Sequence, residues 1–162
     1  IRNNCFLAEV KKALQDFALN SQHIELAITE NALIRASGVA GDLLAALSSL
    51  GIAIALDDFG TGYSSIQHLK SFPIDVLKID KEFVSAIGRD AAHEKLLTAI
   101  IKFAKALDLT VVAEGIETQA QAQFCQVAGC DLLQGYYYSR PIPADDFAAI
   151  FLTRNCAQAS NH

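Results

Sequence analysis

Asp57 and Asp58 stand side by side at the end of an apolar run, Ile52-Ala53-Ile54-Ala55-Leu56, and lead into Phe59-Gly60-Thr61-Gly62-Tyr63-Ser64-Ser65. A strand that stops on two carboxylates suits a hard divalent cation, because Mg²⁺ takes carboxylate oxygens and keeps several waters. Neighbouring strand residues point to opposite faces, so both acids serve one site only if the strand has begun to turn there. A single acid in such a place would do no more than cap the next helix. Here the pattern recurs. Glu30 closes the run from His23, Lys78 and Asp80 close the run from Ile74, Glu114 closes the run from Leu109, and Gln134 closes the run from Cys130. Glu30, Asp57, Asp58 and Glu114 gathered at one mouth would repel and raise one another's pKa, which calls for divalent counter-charge. Lys78 among them can act as a base, position a water, clamp an anion, or simply pair with Asp80 or Glu114. Carboxylates, a lysine and metal leave two chemistries open: two-metal phosphodiester hydrolysis and proton abstraction beside a metal-held enolate.

The elements that must present these residues alternate along the chain. Phe6, Leu7, Val10, Leu14 and Phe17 recur at helical spacing with polar residues between them. A helix is predicted from about Asp42 to Leu50, stopped by Gly51, and a short one from Ser64 to Lys70, closed before Pro73. Glu94 to Leu107 and Glu117 to Ala128 read as helices, as does a last segment from Asp145 to Leu152. The strand runs between them are apolar on both faces, the signature of a parallel sheet covered by helices. A doubly wound sheet concentrates its site at one switch point, whereas polar residues at the carboxyl ends of five strands fit a closed ring. The expected fold class is therefore α/β, a TIM-type (βα)8 barrel of which this chain supplies about the last five strands. The chain contains no Met, even at position 1, so it is expected to lack its beginning. One domain is expected over 1–152, followed by a frayed tail at 153–162.

With 18 acidic against 13 Lys and Arg side chains, the net charge of -5 argues against a nucleic-acid polymer as partner. A small anionic ligand would need metal to bridge the like charges. No apolar run is long enough to span a bilayer. Cys5, Cys125, Cys130 and Cys156 match no Cys-x-x-Cys or zinc spacing, so reduced thiols in a cytoplasmic protein are expected. His23, His68, His93 and His162 do not cluster in sequence, and Tyr136, Tyr137 and Tyr138 are read as packing residues at the barrel mouth.

Ile28-Thr29-Glu30, Asp57-Asp58-Phe59-Gly60-Thr61-Gly62-Tyr63-Ser64-Ser65, Leu77-Lys78-Ile79-Asp80, Ala113-Glu114-Gly115-Ile116-Glu117-Thr118 and Gln134-Gly135-Tyr136 with Ser139-Arg140-Pro141 follow one another in order. They resemble the successive motifs of EAL-domain cyclic di-GMP phosphodiesterases, over about the last two-thirds of such a domain. The glutamate of the Glu-Ala-Leu motif and an asparagine on the following strand belong to the part this chain does not contain. The resemblance implies a modified (βα)8 barrel that linearises cyclic di-GMP to pGpG with Mg²⁺ or Mn²⁺, two ions in all. By motif position, Glu30 and Asp57 would hold one ion and Asp58 the other, with Asp80 in support. Lys78 would orient or deprotonate the attacking water and Glu114 would sit beside it. Glu117 would tether the Asp58 loop with its Gly60-Thr61-Gly62 hinge, and Gln134 would contact water or substrate; apart from the motif positions, Arg140 is a candidate to help with phosphate. In this family the loop Asp57–Ser65 lies near a homodimer contact, and sensor or cyclase domains stand upstream. A catalytically silent receptor for cyclic di-GMP is the alternative, and the isolated chain is expected to show little activity because half of the first ion's ligands are missing.

Overall fold

The computed structural model describes residues 2–35, 39–59 and 71–150 of the chain. Five strands, β1 (Glu25–Thr29), β2 (Ala53–Phe59), β3 (Val76–Ile79), β4 (Thr110–Ala113) and β5 (Leu132–Leu133), pair in chain order into one sheet, every pair parallel. The described helices are α1 (Arg2–Asp16), α2 (Glu30–Arg35), α3 (Val39–Ser49), α4 (Lys81–Ser85), α5 (Ala91–Ala106) and α6 (Gln119–Ala128), with a further helical segment at 144–150. Parallel neighbours taken in chain order, with described helices in the β1–β2, β3–β4 and β4–β5 connections, are the arrangement of consecutive strands of a (βα)8 barrel. The predicted fold class holds.

The two faces of the sheet differ because strand residues alternate. Ile54, Leu56, Leu77, Ile79 and Val111 point outward into the main core, where Leu33 of α2, Leu44 and Leu47 of α3, and Leu97, Ile101 and Ala104 of α5 cover them. Each fully buried Leu or Ile contributes roughly 1.5–3 kcal/mol, so this layer dominates stability. The opposite, concave face carries a small apolar floor of Ala55, Val76 and Val112. Lys78, two residues beyond Val76, shares that face.

Two aspartates fasten the strand entrances in the same way. Asp75, just before β3, donates its backbone N–H to the Ile54 carbonyl at 2.9 Å while its Oδ2 accepts the Ile54 N–H at 2.8 Å. Asp131, just before β5, repeats this on Val111, with bonds of 2.9 and 2.7 Å, and also pairs with Lys105 at 2.8 Å.

Helix signals read from the sequence are largely met. Leu7, Val10 and Leu14 of α1 pack on the core, and α3 is followed by Gly51 at φ 84°. Asp90 caps α5, accepting from the backbone N–H groups of Ala92 and His93, and Thr118 with Gln121 forms a capping box on α6. Two short helices, α2 and α4, were not predicted. Glu30 is accordingly not the end of a strand: β1 stops at Thr29 and Glu30 opens α2. Asp80 likewise does not share a strand face with Lys78, because β3 ends at Ile79 and the Asp80 carboxylate caps α4 through the Glu82 N–H at 2.7 Å. The predicted Ser64–Lys70 helix, the Gly60-Thr61-Gly62 hinge and the tail at 153–162 lie outside the described residues.

Candidate active site

The site grows from an irregularity in β2. Leu56 pairs with Leu77 and Phe59 with Ile79, so Asp57 and Asp58 together oppose the single residue Lys78. Two residues against one make a β-bulge, which re-aims side chains that strict alternation would send to opposite faces. Asp58 takes a left-handed φ of 55°, a conformation that aspartate tolerates better than most residues, and its N–H donates to Asp57 Oδ1 at 3.1 Å. The bulge is thus the turn that the adjacent acids required.

Lys78 lies at the centre of the sheet. Its ammonium donates to Glu114 Oε1 at 2.6 Å and stands 3.9 Å from Asp57 Oδ1, with all three side chains partly buried. Burial alone would lower the Lys78 pKa. The hydrogen bond and charge of Glu114, with the charges of Asp57 and Glu25, outweigh it and hold the pKa above the ordinary lysine value. Lys78 is therefore a cation at neutral pH. Glu30, one residue past Thr29, which pairs with Asp57, is only 1% exposed and is the one buried charged residue among those described.

Glu114 is placed by a tightly built loop. Gly115 has φ 71°, and a Cβ there would fall 2.4 Å from the Lys81 Cβ. A Cβ on Gly135 would fall 2.1 Å from the Ile116 carbonyl oxygen. The two strand ends meet through the Ile116 N–H, which donates to the Gln134 carbonyl at 3.0 Å, and the Tyr137 N–H, which donates to Ile116 at 2.9 Å.

Three cavities meet at Gln134. One of about 450 Å³ includes Glu25, Lys78, Val112, Tyr138 and Ser139; one of about 270 Å³ includes Asp80, Lys81, Glu114, Glu117 and Tyr136; one of about 320 Å³ includes Tyr136, Arg140, Ile142 and Phe147. Asp57, Lys78 and Glu114 thus come together, while Asp80, Glu117 and Gln134 join Glu114 in the second cavity. Arg140 stands apart in the third, its guanidinium 4.8 Å from the centre of the Tyr136 ring. The three tyrosines do not pack as expected: each is about half exposed, and Tyr137 meets Tyr138 edge-on at 5.2 Å between centroids.

Two charged residues escaped the sequence reading. Glu25 shares a face with Thr29, and counting back by twos from the partner of Asp57 would have found it. Lys81 followed an apparent strand end, and only the Gly115 contact reveals it as part of the wall.

Carboxylate oxygens with one ammonium among them leave an excess of negative charge, so donor type and charge both fit a hard divalent cation. Among the described residues, however, no three His, Cys, Asp or Glu side chains already converge as a ligand cluster.

The sequence profile of the EAL domain matches residues 1–141. This chain belongs to the EAL-domain family. Over 147 residues it is 40% identical to the probable cyclic di-GMP phosphodiesterase PdeN of Escherichia coli K12, covering 91% of this chain and 28% of PdeN. The bifunctional diguanylate cyclase/cyclic di-GMP phosphodiesterase MucR of Pseudomonas aeruginosa is 39% identical, over 86% of this chain and 20% of MucR. The EAL chain therefore spans between a fifth and somewhat over a quarter of these relatives. The structure of the MucR phosphodiesterase with cyclic di-GMP superposes with a TM-score of 0.82, covering 85% of this chain and 56% of that one. Klebsiella pneumoniae BlrP1, solved with cyclic di-GMP and calcium, superposes with a TM-score of 0.78 at 31% identity, covering 83% and 34% of the two chains. A manganese complex of BlrP1 is also known.

Proposed function

We propose that this EAL chain is part of a metal-dependent phosphodiesterase that opens cyclic di-GMP to linear pGpG. The observation that carries the reading is the Asp57-Asp58 bulge facing Lys78, which is itself held by Glu114. The names of PdeN and MucR, and the ligands bound to MucR and BlrP1, support the substrate and the need for a divalent cation.

Mg²⁺ or Mn²⁺, two ions held by Glu30, Asp57 and Asp58 with Asp80 in support, would supply positive charge to the attacking and leaving oxygens of an in-line displacement. The remaining work falls to the protein. Lys78, as an ammonium, is a donor, so its part is to orient the attacking water or a phosphate oxygen, and Glu114 is the acceptor placed to take the water's proton. Gln134, where the cavities meet, fixes water or substrate, and Arg140 meets phosphate charge at the rim. Glu117 supports the loop that carries Gly60, Thr61 and Gly62. The full protein carries further domains, as MucR does, and pairs with a second copy near the Asp57–Ser65 loop. A cytoplasmic site of action fits the free thiols of Cys5, Cys125 and Cys130, and no described helix is long and apolar enough to cross a membrane.

The test uses the full-length protein with cyclic di-GMP and Mg²⁺, with products separated by chromatography. The wild type is expected to accumulate pGpG. Lys78→Ala is expected to lower kcat by roughly 10²–10⁴-fold, and Lys78→Arg, which keeps the charge, to retain part of it. Binding without turnover by the wild type would overturn the hydrolase reading in favour of a receptor.

A further inference from the structure

Away from the acid site, the end of α6 sets two thiols against each other. Gly129 leaves the helix at φ 108°, and its N–H donates to the Cys125 and Gln126 carbonyls at 3.1 and 3.2 Å. The Cys130 N–H then reaches back to the Cys125 carbonyl at 3.0 Å. This is a Schellman cap, which brings the side chain after the glycine onto the residue five positions earlier. In most such caps that contact is apolar; here both partners are cysteines. Cys125 is fully buried in a small cluster with Val84, Ala113 and Ile116, and the half-buried Cys130 packs against that cluster. Both are free thiols.

A hydrogen bond from Cys130 holds the Cys125 thiol below its ordinary pKa against the opposing effect of burial. Donating that bond, together with burial and the nearby Asp131 carboxylate, pushes Cys130 far up. One thiolate supported by a neighbouring thiol is the arrangement that makes paired cysteines reactive.

We propose that Cys125 and Cys130 form a reversible oxidation site that closes to an intrachain disulfide across the helix cap. With a peroxide as oxidant, the pair's thiolate attacks one peroxide oxygen, breaking the O–O bond and leaving a sulfenic acid and, after protonation, water. The second sulfur then attacks the first, the S–S bond forms, and hydroxide departs with the remaining thiol proton as a second water. Two electrons pass from the thiols to the peroxide. The bridge would tie α6 to the entry of β5, the strand that runs directly into Gln134 and Gly135. It requires neither a metal nor the hydrolase reading.

Trypsin cuts after Lys105 and next at Arg154, since Pro141 protects Arg140, so one peptide holds Cys125 and Cys130 without Cys5 or Cys156. The chain is treated with hydrogen peroxide, unfolded in N-ethylmaleimide, digested and weighed. The expected result is a peptide with no maleimide and about 2 Da lighter than the reduced form, restored by dithiothreitol. Cys130→Ser, at the half-buried position, is expected to lose the bridge, and Cys125→Ala to do the same. Two maleimides on the peroxide-treated peptide, or a sulfinic acid on one cysteine beside a free thiol on the other, would overturn the proposal and leave the pair as an apolar cap contact. If Cys125→Ala fails to fold, Cys130→Ser decides alone.

Discussion

Gly135 has no room for a methyl group, because the space a Cβ would need is taken by the backbone of Ile116. Backbone cannot swing aside as a side chain can, so Gly135→Ala is expected to destabilise the chain by about 3 kcal/mol, read as a fall in the urea midpoint. The same substitution should spoil the site, since the strain lands on the loop that carries Glu114 and on the strand end that carries Gln134. At this scale the sequence is a good guide to residue type and a poor one to placement. Asp57, Lys78 and Glu114 were legible as a charged set because each followed an apolar run. The bulge that sets Asp57 and Asp58 together against Lys78 was not, because a bulge is a mismatch between two strands and one strand's sequence does not record it. Asp80 misled for a related reason: a residue just past a strand is equally the cap of the next helix, and the Glu82 N–H decides the matter.

Asp75 and Asp131 show the element scale at work, each using its carboxylate to accept the N–H of the second residue of the neighbouring strand while its own N–H completes the pair. Asp131→Ala would leave the Val111 N–H without its acceptor and is expected to cost about 1–3 kcal/mol, measured by thermal melting. The Lys105 hydrogen bond first, and the Val111 bond second, hold the Asp131 carboxyl below its usual pKa. A group depressed in the folded state stabilises the fold fully above its unfolded pKa of about 3.9. That contribution is lost as pH falls through the lower folded value. Wild-type stability should therefore drop more steeply than that of Asp131→Ala as pH falls below about 4; parallel curves would refute the assignment. Long helices were legible from their spacing and caps, whereas α2 and α4, at six and five residues, are too short for periodicity to reveal.

Over the whole molecule, β1 and β5 stand at the two edges of the sheet among the described residues. Unpaired strand edges recruit other strands. The 162-residue chain is expected to associate as its concentration rises, seen as a growing mass in size-exclusion chromatography with light scattering, and to turn over cyclic di-GMP poorly beside the full-length protein. A dilute-stable monomer with robust turnover would contradict both. The barrel class was legible because every strand run ended in a polar residue. Lys78 bears on the order in which this architecture is made. By pairing with Glu114 and standing beside Asp57, it serves as a resident cation between two acids that would otherwise resist being gathered. Many small metalloproteins cannot fold until their ion arrives. A chain that carries its own counter-ion can leave the ribosome and bring these acids together without first meeting any ion from solution.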